Sequence, residues 1–236
     1  MVRVGPMLLV GLCACGRGGF DSLESQGGMA ADGAAGGLEL ALGQNAGDTY
    51  AAVADTQIVL ESPDMTYGTC EDATADGMAV TARILIAFDV GGLPAERRVE
   101  AAALELRIRP ETTADIASSL SGLRVVRLLE AWDEGSVCYL GGAPNWTERR
   151  PGVTWAAMGA EPPSTDPIVI GTIQGPLPFD QPFTIDLPAD LIEGWRADPT
   201  TNFGVAIYAD TSDGATVYTN QGPDGTRPRL RLRLPP

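Results

Sequence analysis

Four cysteines carry most of the reactive chemistry in this 236-residue chain: Cys13, Cys15, Cys70 and Cys138. Cys13 and Cys15 stand two apart in "LLVGLCACGRGG", directly after an apolar run. That spacing has three uses: a thiolate pair for metal or redox work, half of a disulfide, or a processing site. The residue types that are missing narrow the choice. There is no histidine and no lysine, so all 16 basic residues are arginine. Without imidazole there is no Ser-His-Asp or Cys-His nucleophile and no imidazole-ligated metal. Without a lysine amine there is no Schiff base, and no P-loop or kinase-type lysine. Paired carboxylates, or a cation held by carboxylates, are the catalytic classes that remain. A formal charge of −15 and a pI near 4.3 speak against nucleic acid and anionic membranes as partners, because both require local positive charge.

Met1-Val2-Arg3 followed by the apolar stretch from Val4 to Ala14 has the layout of a secretory signal. The stretch is too short to cross a bilayer, which takes about 20 helical residues. The step Leu12-Cys13-Ala14-Cys15 resembles a bacterial lipobox. That resemblance implies that residues 1–14 are a signal peptide, that Cys13 is discarded with it, and that Cys15 is diacylated. Two acyl chains suffice for stable anchoring. A cleaved signal without lipid is the alternative, and nothing near the pair completes the ligand set of a metal site. Residues 15–53, rich in Gly and Ala, read as a flexible tether. A coil of that kind spans ~30 Å. Leu38, Leu40 and Leu42 alternate briefly there, enough for a small strand. The expected location is outside the cytoplasm, lipid-anchored at the cell envelope or surface, with the anchor as the only membrane contact.

Cys70 and Cys138 are then the two cysteines left, and in an oxidising compartment they are expected to pair; free buried thiols are the alternative. Closing so long a loop contributes ~4 kcal/mol in the chain-entropy account. Trp146 and Trp155 lie in a Gly/Pro-rich segment with Tyr139, Asn145, Arg149 and Arg150. These six form the candidate ligand-binding patch, since flat indole faces suit the apolar face of a sugar ring. Core packing competes with that reading, and for Trp132 and Trp195 it is the preferred one. The arginines at 107 and 109 and at 229, 231 and 233 would make a basic strip for uronate or sulfate groups if their strands were neighbours. The competing reading is a solvated sheet face whose arginine stems cover apolar surface. Asp64, Glu71, Asp72, Asp76, Asp210 and Asp213 offer hard oxygens for a structural Ca²⁺, without EF-hand spacing. No cofactor is otherwise required. Asp133 and Glu134 are adjacent, so on a strand they point to opposite faces and cannot flank one glycosidic bond. No catalytic residue is assigned.

The elements that must position these residues are strands. "LELRIR" (104–109) and "RLRLRL" (229–234) alternate leucine or isoleucine with charge, the mark of half-buried antiparallel strands. "RILIAFDV" (83–90) is continuously apolar, as a central strand is. Further strands are expected at 56–60, 123–129, 167–173, 183–187, 203–209 and 216–219. Gly-Gly and Gly-Pro steps punctuate the runs. Only "PADLIEGWRADP" (188–199) reads as a helix, with Pro188 in its first turn and Leu191, Ile192 and Trp195 on one face.

Six segments follow one another in a familiar order: "ADTQIVLESPDMTYG" (54–68), "RILIAFDVGGLPAERRVEAAALELRI" (83–108), "VVRLLEAWDEGSV" (125–137), "FTIDLPADLIEGW" (183–195), "NFGVAIYA" (202–209) and "RPRLRL" (227–232). As a set they resemble the DNRLRE-type domain of extracellular bacterial and archaeal proteins, similar to disaggregatase-related domains and to an alginate-binding class of carbohydrate-binding modules. The resemblance covers roughly residues 54–234. It implies a jelly-roll-like β-sandwich that serves as an accessory domain outside the cell, with glycan binding in part of the family. The chain departs from the pattern at Thr219-Asn220-Gln221, where a Ser-Arg-Glu-like step is usual, and at Val137-Cys138-Tyr139, where Val-Thr-Trp is expected. The expected fold is an all-β, antiparallel, jelly-roll-like β-sandwich over 54–236 with one short helix near 189–196. The expected function is a non-catalytic module that binds polysaccharide or another matrix component. A structural or protein-interaction module of an envelope assembly is the alternative. A carboxylate-based lyase or hydrolase would need acidic side chains converging in one groove.

Overall fold

Alternation of apolar and polar residues sorts this chain into strands. The computed structural model describes residues 37–77, 81–110, 122–178, 181–209 and 214–236. The signal, Cys15 and the first part of the expected tether lie outside those residues. In chain order the strands are β1 (Leu38–Gly43), β2 (Thr49–Tyr50), β3 (Val53–Val59), β4 (Met65–Thr66), β5 (Asp72–Ala75), β6 (Ala82–Phe88), β7 (Ala101–Leu106) and β8 (Leu123–Leu128). They continue as β9 (Leu140–Gly141), β10 (Glu148–Arg150), β11 (Val153–Thr154), β12 (Thr165–Ile173), β13 (Phe183–Leu187), β14 (Val205–Ala209), β15 (Ala215–Tyr218) and β16 (Arg229–Leu234). Among the described residues there is one α-helix, α1 (Ala189–Ala197), which buries Ile192 and Trp195, with Asp190 in its first turn and Arg196 in its last to complement the helix dipole.

Two five-stranded sheets form a β-sandwich. Sheet A runs β13-β7-β16-β1-β2, and sheet B runs β12-β8-β14-β6-β3. All neighbours are antiparallel except β1 and β2. In β16 the leucines at 230, 232 and 234 turn into the core while Arg229, Arg231 and Arg233 turn out. Ile84, Ile86 and Phe88 of β6 meet Leu104, Leu106 and Ile185 of sheet A in one buried cluster between the sheets. The sandwich begins earlier than the sequence implies. Leu38 to Gly43, read as part of a tether, pair with β16 along six register positions, and Leu42 is buried. The reason is the short Leu38-Leu40-Leu42 alternation, which supplies an apolar face of the right period for sheet A.

Sheet B is covered on both faces. Its outer side carries Ile58, Leu85, Val126, Leu128, Ala206 and Tyr208, packed under Trp146, Trp155 and Ala160. The Gly/Pro-rich segment after β8 is therefore a third layer. This accounts for the unbroken apolar run in β6, which is buried on both sides. A third small cluster gathers Val59, Tyr67, Cys70 and Ala82 with Cys138, where the disulfide Cys70–Cys138 ties the β4–β5 turn to the strand pair β4·β9.

Candidate functional site

Three of the buried polar atoms that find no partner among the described residues lie where the edge strand β3 meets the loop after β15. Asp55 lies on β3 among residues that face the interior and is 1% exposed. Its Oδ2 accepts the backbone N–H of Asn220 at 2.6 Å, while Oδ1 is buried with no hydrogen-bond partner among the described residues. Glu134 arrives from the segment after β8. Its Oε1 accepts the Asp55 N–H at 3.2 Å and the Gln221 side-chain Nε2 at 3.1 Å. The Asn220 side chain donates through Nδ2 to Gln44 Oε1 at 3.1 Å. Asn220 Oδ1 and Gln221 Oε1 are buried without partners among the described residues.

Desolvation dominates the electrostatics there. Burial, against the opposing Asn220 N–H and reinforced by the Glu134 charge, pushes the Asp55 carboxyl up to about 8. Burial likewise raises Glu134, against the N–H groups of Asp55 and Gln221. No arginine ion pair reaches either carboxyl among the described residues. Glu134 also lines an open groove of about 430 Å³ with Val53, Ala54, Phe88, Asp89 and Asn202. Asp55 itself is closed to solvent, so this arrangement can hold a proton or a cation but cannot present Asp55 to a bulky substrate. Asp133 turns instead to Arg150, at 3.2 Å.

The six residues singled out for the ligand patch lie elsewhere, and three of them, Asn145, Trp146 and Trp155, are buried. Trp146 and Trp155 are 8% and 3% exposed, so neither indole offers a face to a sugar ring. This corrects the expected stacking patch: the rings are consumed by the outer face of sheet B. Asn145 organises the loop that carries them. Its Oδ1 accepts the N–H groups of Thr147 and Glu148 at 2.8 and 2.7 Å, and its carbonyl accepts Trp155 Nε1 at 2.9 Å. Arg149 donates to the Ala131 carbonyl at 2.6 Å and pairs with Glu130 at 3.4 Å. Arg150 lies half-exposed on the same segment. Tyr139 stands apart from them, 60% exposed at φ +57°, its ring edge-on to Tyr67 with centroids 5.1 Å apart.

The expected calcium loops do not come together either. Asp72 pairs with Arg109, the Asp64 carbonyl accepts the Gly142 N–H at 3.1 Å, and the Glu71 carbonyl accepts the Thr219 N–H at 3.1 Å. Asp76 bridges Ala82 through its backbone. Asp210 and Asp213 lie outside the described residues. Among the described residues no three His, Cys, Asp or Glu side chains gather to hold a metal.

The arginine strip is half realised. β7 and β16 are neighbours, but Arg107 and Arg109 fall beyond the end of β7. On β16, Arg229 pairs with Asp48 at 2.7 Å and with Glu105 at 3.0 Å, Arg231 pairs with Glu105, and Arg233 pairs with Glu100 at 3.1 Å. Arg231 and Arg233 stay half-exposed beside a shallow depression of about 200 Å³, floored by Ala101 and Ala103 and edged by Glu39 and Asp186.

One residue that sequence reasoning missed holds the third layer down. Arg83, buried on the outer side of β6, lies 4.7 Å from the Trp146 ring centroid and 4.6 Å from that of Tyr208. It also donates to the Gly159 carbonyl and pairs with Glu161. The only signal was a charge at the head of an apolar run. Set against known protein-family models and against curated proteins, the chain matches none of them.

Proposed function

We propose that this chain is a non-catalytic binding module, exported and held at the cell envelope by a lipid on Cys15, that takes an anionic polysaccharide across the outer face of sheet A. One observation carries the ligand reading. Arg231 and Arg233 stand half-exposed at alternate positions of the central strand, flanked by the small residues Ala41, Ala101 and Ala103. Small neighbours leave room for a sugar chain to lie on the sheet, and guanidinium forks suit carboxylate or sulfate groups. The resemblance to alginate-binding modules supports an anionic glycan as the ligand, and the lipobox-like start supports the location.

The test is calorimetric titration of the full chain with polyuronate and sulfated oligosaccharides, beside Arg231→Glu/Arg233→Glu. Saccharide binding that falls at least tenfold in the double variant supports the reading, and the absence of binding to any anionic polymer refutes it. A second reading, a structural module that contacts envelope proteins, is favoured by the sealing of Trp146 and Trp155 into the third layer. A stoichiometric protein partner recovered from the envelope, with no saccharide bound, would establish it.

A further inference from the structure

We infer that Asp55, Glu134, Asn220 and Gln221 form a binding site for one hard divalent cation, Ca²⁺ by ligand chemistry, at the junction of β3 with the loop after β15. The unsatisfied groups there are all acceptors. Asp55 Oδ1, Asn220 Oδ1 and Gln221 Oε1 are buried oxygens without donors among the described residues. The amide orientations follow from their nitrogens, which are committed to Gln44 and to Glu134, so both oxygens are left over. A buried acceptor without a donor is costly, and a buried carboxylate without a cation more so. Asp55, at 1% exposure, and the half-buried Glu134 beside it bring two carboxyls together with no arginine ion pair among the described residues.

The donor set is oxygen only, with two carboxylates to balance a 2+ charge and two neutral amides. That composition suits calcium, which accepts six to eight oxygens in flexible geometry and fills the remainder with water. Magnesium demands stricter octahedral placement than side chains of a loop and an edge strand supply. Of the four residues only Glu134 lines the groove of about 430 Å³, and it is the one through which the site meets solvent. The site does not call on the carboxylates of Asp64, Glu71, Asp72 or Asp76, although the Glu71 carbonyl braces the neighbouring Thr219 N–H, and it does not depend on what sheet A binds.

The experiment uses the full chain, stripped with EDTA and titrated with CaCl₂ alone, read by melting temperature and by bound metal per chain. One Ca²⁺ per chain is expected, with Kd on the order of 10⁻⁴–10⁻³ M and a melting temperature that rises with concentration. Asp55→Asn and Glu134→Gln, both close in shape, are each expected to weaken binding at least tenfold, whereas Asp72→Asn leaves it unchanged. If either carboxamide variant fails to fold, Gln221→Ala keeps both carboxylates and is expected to weaken binding severalfold. No calcium-dependent shift in the wild-type chain overturns the proposal. So does a shift of equal size and midpoint in the Asp55 and Glu134 variants, or one abolished by Asp72→Asn.

Discussion

Arg83→Met is the sharpest perturbation of the fold, because it removes one charge and tests whether the third layer is clamped to sheet B. The guanidinium lies against Trp146 at 4.7 Å and Tyr208 at 4.6 Å. A desolvated cation–aromatic contact is worth about 1–2 kcal/mol. The charge-assisted bond to the Gly159 carbonyl adds about 1.5–3 kcal/mol, and its loss leaves that oxygen without the guanidinium. Against these stands the cost of burying the charge, which methionine no longer bears, while its thioether keeps most of the stem packing. The net loss is then about 3 kcal/mol. For a domain of this size each kcal/mol lowers Tm by about 2–4 °C, so the midpoint should fall by roughly 6–12 °C. The matched control is Arg150→Met, whose half-exposed pair with Asp133 is worth about 0.5 kcal/mol. Thermal and urea denaturation measure both, and limited proteolysis within 140–163 reports whether the layer lifts before the sandwich melts. Equal stability of the two variants, or no gain in cleavage for Arg83→Met, refutes the clamp.

Two further outcomes concern the frame. The Cys70–Cys138 bridge closes a loop with a sequence separation of 68, so Cys70→Ser/Cys138→Ser should cost about 4 kcal/mol. Reduction of the wild-type protein should lower the melting midpoint by a similar amount, and a midpoint indifferent to reductant contradicts this. Gly204 has φ +78°, and a Cβ there would overlap the Ile86 carbonyl oxygen, whereas Gly152 at φ +73° faces open space. Gly204→Ala should therefore cost at least ~3 kcal/mol and Gly152→Ala about 1 kcal/mol, compared by thermal melting.

The strands announced themselves wherever one face was wet. "RLRLRL" alternates because Arg229, Arg231 and Arg233 face solvent and carboxylates while the leucines face the core. The helix was equally plain, as Ile192 and Trp195 share the buried side. Beyond the sandwich, alternation stops being informative. The segment around Trp146 and Trp155 has loop composition, yet it buries both rings in a second core while Asn145 spends its side chain bracing the turn. Aromatic residues in a Gly/Pro-rich stretch look the same whether they face water or a second core, so the patch was misplaced. Asp55 and Gln221 were invisible for another reason: they are 166 positions apart, and only strand pairing and the loop after β15 bring them to Glu134.

The pairing of β1 with β16 has a mechanical consequence. Leu38 lies opposite Leu234, so the start of β1 and the end of β16 leave from the same end of sheet A. Hydrogen bonds between antiparallel strands run perpendicular to them. If the chain is anchored before Leu38 and holds a polymer at Arg231 and Arg233, as proposed, tension between the two draws β1 along its own axis past β16. All six register pairs then resist at once, as a joint in shear. Tension between the two chain ends instead separates Leu38 from Leu234 first and opens the joint one pair at a time. Anchored at one end and loaded through its face, the domain is a strong link, and the same strands pulled by their ends are a zip.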